Sequence, residues 1–195
     1  TLLNMEKIEN IDFNALRDRA YQNAMNHGFH KEGDHPVLYM MLIVSEIGEA
    51  INADRKGKYA DRNMFEKNFD TPQVDPKGHW MFCFETFIKD SVEDELADTF
   101  IRLLDFAGWL GLDLNENAYS QKDFELGTGE LGDDKNITLQ LYYTVKAIMD
   151  AKDVVFALFT LLAIAKVNGI DLLWHIEQKM KYNEMRPYKH GGKKY

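Results

Sequence analysis

The sequence predicts an all-α fold, and three observations carry that prediction. Only four prolines interrupt 195 residues. Apolar residues recur at intervals of three and four, the spacing of one helix face. No segment shows the strict alternation of a half-buried strand.

The elements follow in order. A first helix begins at Asp12, a good N-cap, carries Phe13, Leu16, Ala20 and Ala24 on one face, and stops at Gly28. Pro36 suits the first position of a second helix and Gly57 its stop. Between them Val37 to Val44 is apolar on every side, which predicts burial in the bundle interior. Residues 57–79 hold Gly57, Pro72, Asp75, Pro76 and Gly78, turn and loop signals, with a short helical piece around Asp61 to Phe69. Trp80 to Ile88 is a short aromatic-rich helix. Ser91 with Asp94 three residues on forms a capping box that opens a long helix ending before Gly111. A helical stretch over Leu114 to Leu126 precedes the glycine-rich acidic loop GTGELGDD at 127–134. Further helices are expected over Ile137 to Ala151, Asp153 to Asn168 and Asp171 to Met185, where Pro187 forbids extension. The expectation is one domain over residues 1–195, with 186–195 a basic, mobile C-terminal tail.

Composition narrows the function. With 45% hydrophobic and 28% charged residues the chain has material for one sizeable core. Cys83 is the single cysteine, so an internal disulfide is impossible, and without clustered Cys and His a structural zinc site is not expected. That favours a reducing, cytoplasmic setting. The start TLLNMEKIEN lacks a basic, then apolar leader, and the longest apolar run, Val154 to Ala165, falls short of the ~20 residues of a bilayer span. A soluble protein without a membrane partner is expected. A net charge of -9 disfavours a nucleic-acid partner, because phosphate backbones are held by clustered Lys and Arg. The tail is the exception: Lys179, Lys181, Arg186, Lys189, Lys193 and Lys194 face one acid, Glu184.

A weak internal repeat emerges at a shift of 58 residues. It lays Leu110-Gly111-Leu112-Asp113-Leu114 on Asn168-Gly169-Ile170-Asp171-Leu172, each after a long apolar helix. Glu95 then falls on Asp153, but Asp98 falls on Phe156 and Arg102 on Thr160, so a duplicated helix pair would keep its ionisable residues in one copy only. Glycine stops followed by aspartate caps are generic, and that plainer account explains the match equally well.

The chemistry sits in two acid pairs. Glu46 and Glu49 are spaced i, i+3, as are Glu95 and Asp98, so each pair projects from one helix face. Two such helices side by side would aim four carboxylates at one point, and unneutralised carboxylates in contact repel until some protonate. Such a cluster calls for a cation. Oxygen-only ligands select hard ions, Mg²⁺ first, with Mn²⁺ as a substitute. A di-iron carboxylate bundle would need Glu-x-x-His on two helices, and the sequence offers only Glu32-x-x-His35 between Gly and Pro. On a solvated face such pairs are also commonplace, and acids at a helix start are favoured by the dipole, which is the reading given to Glu93 and Asp94. Asp98 differs, being set among Leu96, Phe100, Ile101, Leu103 and Leu104. Arg102 and Asp105 are expected to form a supporting ion pair.

S-E-I-G-E-A at 45–50, E-D-E-L-A-D-T-F-I-R-L-L-D at 93–105 and G-L-D-L at 111–114 resemble the all-α nucleoside triphosphate pyrophosphohydrolases, a group that includes MazG-like proteins, dimeric dUTPases and dCTP pyrophosphatases. The tail K-x-x-x-N-x-x-R at Lys179, Asn183 and Arg186, followed by Tyr188, Gly191, Gly192 and Tyr195, is similar to the nucleotide-contacting C-terminal segment of the dimeric dUTPase branch. The resemblance covers residues 36–114 and 170–195 best. Between Glu49 and Glu95 lie 45 residues, a longer gap than compact members show.

The resemblance implies a helical bundle of that type and cleavage between the α and β phosphates of a nucleoside triphosphate, giving the monophosphate and pyrophosphate. It carries over Glu46, Glu49, Glu95 and Asp98 as Mg²⁺ ligands, with dUTP or dCTP as candidate substrates. Glu46 or Glu49 would double as the base for the attacking water. Lys179, Asn183, Arg186 and Tyr188 would bind substrate, Arg as a fork and Lys as a point charge. Trp80, Trp109, His27 and Tyr188 are candidates for the base contact. The excess of apolar helix surface predicts a homodimer. The alternative from another class is a catalytically silent helical partner protein that keeps the fold for dimerisation.

Overall fold

The structure is a computed structural model that describes residues 11–69, 74–115, 131, 136–151 and 153–192. Among the described residues every regular element is helical. They are α1 (Phe13–Asn26), α2 (Pro36–Arg55), α3 (Arg62–Lys67), α4 (Pro76–Phe87), α5 (Val92–Leu110), α6 (Ile137–Lys146), a π-helical turn (Ala147–Ala151), α7 (Val154–Asn168) and α8 (Leu172–Met185). The predicted helix over 114–126 and the loop at 127–134 lie outside the described residues, apart from Leu114, Asn115 and Leu131.

The helix starts are set by short polar side chains. Asp12 accepts from the amide of Ala15 at 3.0 Å, Asp61 from Met64 at 3.0 Å, Ser91 from Asp94 at 3.2 Å and Asp153 from Phe156 at 2.9 Å. Each satisfies one amide that the helix cannot. Asp75 does the same for Gly78 at 3.0 Å and Pro76 takes the first helical position, so α4 begins four residues before the predicted Trp80. What reads as turn punctuation is a proline-initiated helix. The capping box at Ser91 closes differently from the usual pattern: Asp94 reaches back to the amide of Asp90, at 2.9 Å, not to Ser91.

α5 is the central helix. It packs against α2, α1, α8 and α7, with Leu96, Phe100, Leu103 and Leu104 fully buried. Each such side chain contributes about 1.5–3 kcal/mol of burial. α7 is apolar on every side and buried from Ala157 to Ala165, while Phe156 in its first turn is exposed. α2 is not. Tyr39, Met40, Ile43 and Ile47 face the bundle, while Val37 is 51% and Met41 49% exposed, so the expected all-round burial holds on one face only. By length and composition α2 would also pass for a membrane span, but its inner face packs on α5 and carries the buried Glu46. α3, α4 and Tyr182 of α8 form a second, aromatic cluster around Phe65, Trp80 and Phe84.

The two glycine stops of the sequence repeat share one geometry. Gly111 and Gly169 are both left-handed, and the next amide bonds back to Ala107 at 3.0 Å and Ala165 at 2.8 Å respectively. The helices begin differently: Asp153, the counterpart of Glu95, is an N-cap.

The chain after α8 docks on α1. Nε2 of His27 is 3.0 Å from the carbonyl of Arg186, and the amide of Lys189 donates to the carbonyl of His27 at 3.0 Å. Tyr188 lies on Gly28, where a Cβ would stand 2.1 Å from the phenol oxygen, so only glycine admits the contact. Lys189 to Gly192 turn with positive φ throughout.

Candidate functional site

Packing α2 against α5 brings the two sequence motifs together. One carboxylate oxygen from each of Glu46, Glu95 and Asp98 lies within 4.8 Å of the others. Glu49, one turn on from Glu46, is exposed and lies outside that close triad, but it lines the same pocket. This pocket, of about 260 Å³, also takes in Lys179, Asn183 and Arg186 from the end of α8. Seven of the eight residues singled out in the sequence therefore share one cavity. Tyr188 does not: it is 66% exposed and rests on Gly28, because the turn after Pro187 points it away.

The cations are already engaged. Nε of Arg102 donates to Glu46 at 3.0 Å. Nζ of Lys179 is 2.7 Å from Asp94 and 2.8 Å from Asp98, and Lys179 and Asp94 are nearly dry, 4% and 1% exposed. Asn183 hydrogen-bonds Asp98, and its own Oδ1 is buried with no partner among the described residues. The expected Arg102–Asp105 pair is not formed. Arg102 turns to Glu46 on α2, and Asp105 bonds Nε2 of His30 at 2.7 Å.

Burial dominates the electrostatics. It pushes Glu95 up to about 8, the nearby Asp98, Asp94 and Glu49 adding to the rise and Lys179 opposing it. Burial likewise raises Asp94 to about 6 and, with the charge of Asp98 beside it, raises Glu46. Asp98 is also driven up by burial, but Lys179, Arg102 and Asn183 outweigh that and hold it below the usual carboxylate range. The surroundings thus favour the ionised form of Asp98 and the protonated form of Glu95.

These residues fit a hard divalent cation. Three carboxylates supply converging oxygens, and His and Cys are absent from the triad. A divalent charge placed there reverses the shift on Glu95 and holds all three acids ionised. Six carboxylates line the pocket (Glu46, Glu49, Asp90, Glu95, Asp98, Asp105) against four Lys and Arg side chains, so an anionic ligand needs a cation to enter.

Away from the acids the pocket changes character. Ala20, Asn23 and Ala24 of α1 line it with Phe29, Ile101 and His190. The rings of Phe29 and His190 meet edge to face, 4.8 Å between centroids. None of the aromatic residues suggested by the sequence is there. Trp80 belongs to the α3–α4 cluster, Trp109 packs tilted against Tyr39, and His27 ties α1 to the tail.

Sequence reasoning missed Asp94, Arg102 and Asp105 as members of the site. For two of them the signal was present: Glu95, Asp98, Arg102 and Asp105 fall at i, i+3, i+7 and i+10, one stripe of a helix. The roles of His30 and Phe29 have no local signature. Compared with protein-family models, with curated proteins and with solved structures, the chain matches none.

Proposed function

We propose that the protein is a Mg²⁺-dependent nucleoside triphosphate pyrophosphohydrolase, with a bundle of the MazG-like and dimeric dUTPase type. The observation that carries this reading is the convergence of Glu46, Glu95 and Asp98 within 4.8 Å, in the pocket that also gathers Lys179, Asn183 and Arg186. The reaction is attack of water on a phosphorus of the α–β anhydride, with the bridging P–O bond broken and a monophosphate and pyrophosphate released.

Glu46, Glu95, Asp98 and Glu49 are the proposed Mg²⁺ ligands, with Mn²⁺ as a substitute. The bound ion supplies charge to offset the phosphates and a lowered pKa for water. Glu49 is the proposed base, because it lines the pocket and forms no hydrogen bond among the described residues, whereas Glu46 is held by Arg102. A carboxylate so placed takes the proton of the attacking water. Arg186 and the free edge of Arg102 face the cavity as phosphate contacts, and Lys179 acts from behind by fixing Asp98 in its ionised form.

A homodimer belongs to the same proposal. Val37 and Met41 of α2 and Leu139, Tyr142 and Tyr143 of α6 are exposed, and α2 and α6 are neighbours. Exposed apolar patches of this kind mark subunit contacts. The test of function is pyrophosphate release from a panel of nucleoside triphosphates with Mg²⁺ or Mn²⁺. Release with either ion supports the enzyme; no release from any substrate leaves the silent dimerising partner as the reading.

A further inference from the structure

We propose that Asp94 is a positioning residue of the metal site: it takes up the charge of Lys179, so that the ammonium can hold Asp98 without cancelling the negative charge that Asp98 offers to a divalent ion. This rests on the pyrophosphohydrolase reading for the ion itself and extends it to what sets the affinity of the site.

Lys179 stands where a cation conflicts with a metal. Its Nζ is 2.8 Å from Oδ2 of Asp98, a member of the acid triad, and its side chain is 5% exposed. An ammonium that close to a ligand repels an incoming divalent ion and offsets one of the charges that attract it. Asp94 removes the conflict. Its Oδ2 is 2.7 Å from the same nitrogen, and among the described residues Lys179 is the one cationic side chain paired with it. The same oxygen accepts from the amide of Asp90 at 2.9 Å, which fixes the carboxylate from the other side, while Oδ1 is buried with no partner among the described residues. The three side chains therefore hold two carboxylates against one ammonium, and one negative charge is left beside Glu46 and Glu95.

The placement of Asp94 rules out two other roles. It does not line the pocket, so it is not a substrate contact. One of its oxygens lies within 4.8 Å of oxygens of Glu95 and Asp90, but a second ion in that group would have to enter against the ammonium already bound to its buried member. Nor does service to the helix dipole explain a residue that is 1% exposed and covered by a lysine 85 positions on.

The experiment titrates Mn²⁺ in the absence of nucleotide, reading the free ion by electron paramagnetic resonance, at about pH 7.5, above the value of about 6 to which burial raises Asp94. Asp94→Asn keeps the size of the side chain and an acceptor for the Asp90 amide, and leaves Lys179 charged. Its Mn²⁺ affinity should fall about 10–100-fold, the usual cost of a change directly behind a ligand. Adding Lys179→Met to Asp94→Asn removes both charges and should bring the affinity back to within about threefold of wild type, a coupling that a merely structural role would not produce. Unchanged affinity in the folded single variant, or a double variant that binds as weakly as the single, overturns the proposal. Should Asp94→Asn not fold, Lys179→Met alone decides: with two carboxylates unopposed it should bind Mn²⁺ more tightly than wild type, and equal or weaker binding overturns the proposal. Wild type that binds no Mn²⁺ ends the metal reading and this proposal together. Wild type that binds Mn²⁺ but releases no pyrophosphate fails only as a pyrophosphohydrolase, and the comparison of affinities still decides the role of Asp94.

Discussion

Nζ of Lys179 lies 2.8 Å from Oδ2 of Asp98, 85 residues after Asp94, whose carboxylate it also holds. The three groups form one buried unit, so removing the cation strands two acids. Lys179→Met should lower the unfolding free energy by about 3–5 kcal/mol, the usual cost of deleting one partner of a buried pair. Denaturant unfolding measures it, and a loss within experimental error would mean that the ammonium is not the neutralising group.

Glu49→Gln and Asp98→Asn should each abolish turnover while the far-ultraviolet circular dichroism stays that of wild type. Glu49 is exposed at the pocket and Asp98 half-buried, and each replacement keeps the size of the side chain, so neither change opens a cavity. Wild-type rates in either variant would place the chemistry elsewhere.

Stability should depend on pH through Glu95. Its folded pKa of about 8 exceeds the ordinary value near 4.3 in an unfolded chain, so the folded state binds the proton more tightly. That stabilisation is complete at low pH and is lost as pH rises to about 8. His175, which burial lowers to about 4, has the opposite slope, but its contribution is finished by about pH 6.5. In EDTA the melting temperature should therefore fall from about pH 6.5 to 8.5, less so in Glu95→Gln. Mg²⁺ should raise it more at the upper end, where it does not have to displace a proton. A melting temperature that climbs across this window in EDTA, equally in both proteins, would refute the assignment.

Gly28→Ala should release the tail. The left-handed backbone alone costs a side chain about 1–2 kcal/mol, and the new Cβ would collide with Tyr188. Trypsin should then cut at Lys189 faster than in wild type, and KM for the triphosphate should rise because Arg186 is no longer fixed through its carbonyl to His27. Unchanged cleavage would show that the docking of Tyr188 does not hold the segment.

The helices were legible in the sequence because their signals are local. Asp12, Asp61, Ser91, Asp153 and Asp171 cap helices at or next to where the pattern placed them. The acid pairs were legible for the same reason, since i, i+3 spacing is a property of one helix. What the sequence concealed is partner choice across the bundle. Arg102 has Asp105 three residues away yet bonds Glu46, 56 positions distant, and Asp105 is claimed by His30, 75 positions back. Asp94 looks like any acid in a first helical turn until α8 lays Lys179 over it. Val37 to Val44 has the composition of a buried helix, but composition does not say how many neighbours the fold provides, and α2 has them on one side only.

α5 supplies Glu95, Asp98, Arg102 and Asp105 on one stripe and Leu96, Phe100, Leu103 and Leu104 to the dry interior on the others. The reactive groups are therefore bolted to the most protected part of the molecule instead of to a loop that frays ahead of the rest. On warming, the acids should keep their spacing until the whole bundle gives way, so that heat inactivation and global melting coincide at one temperature.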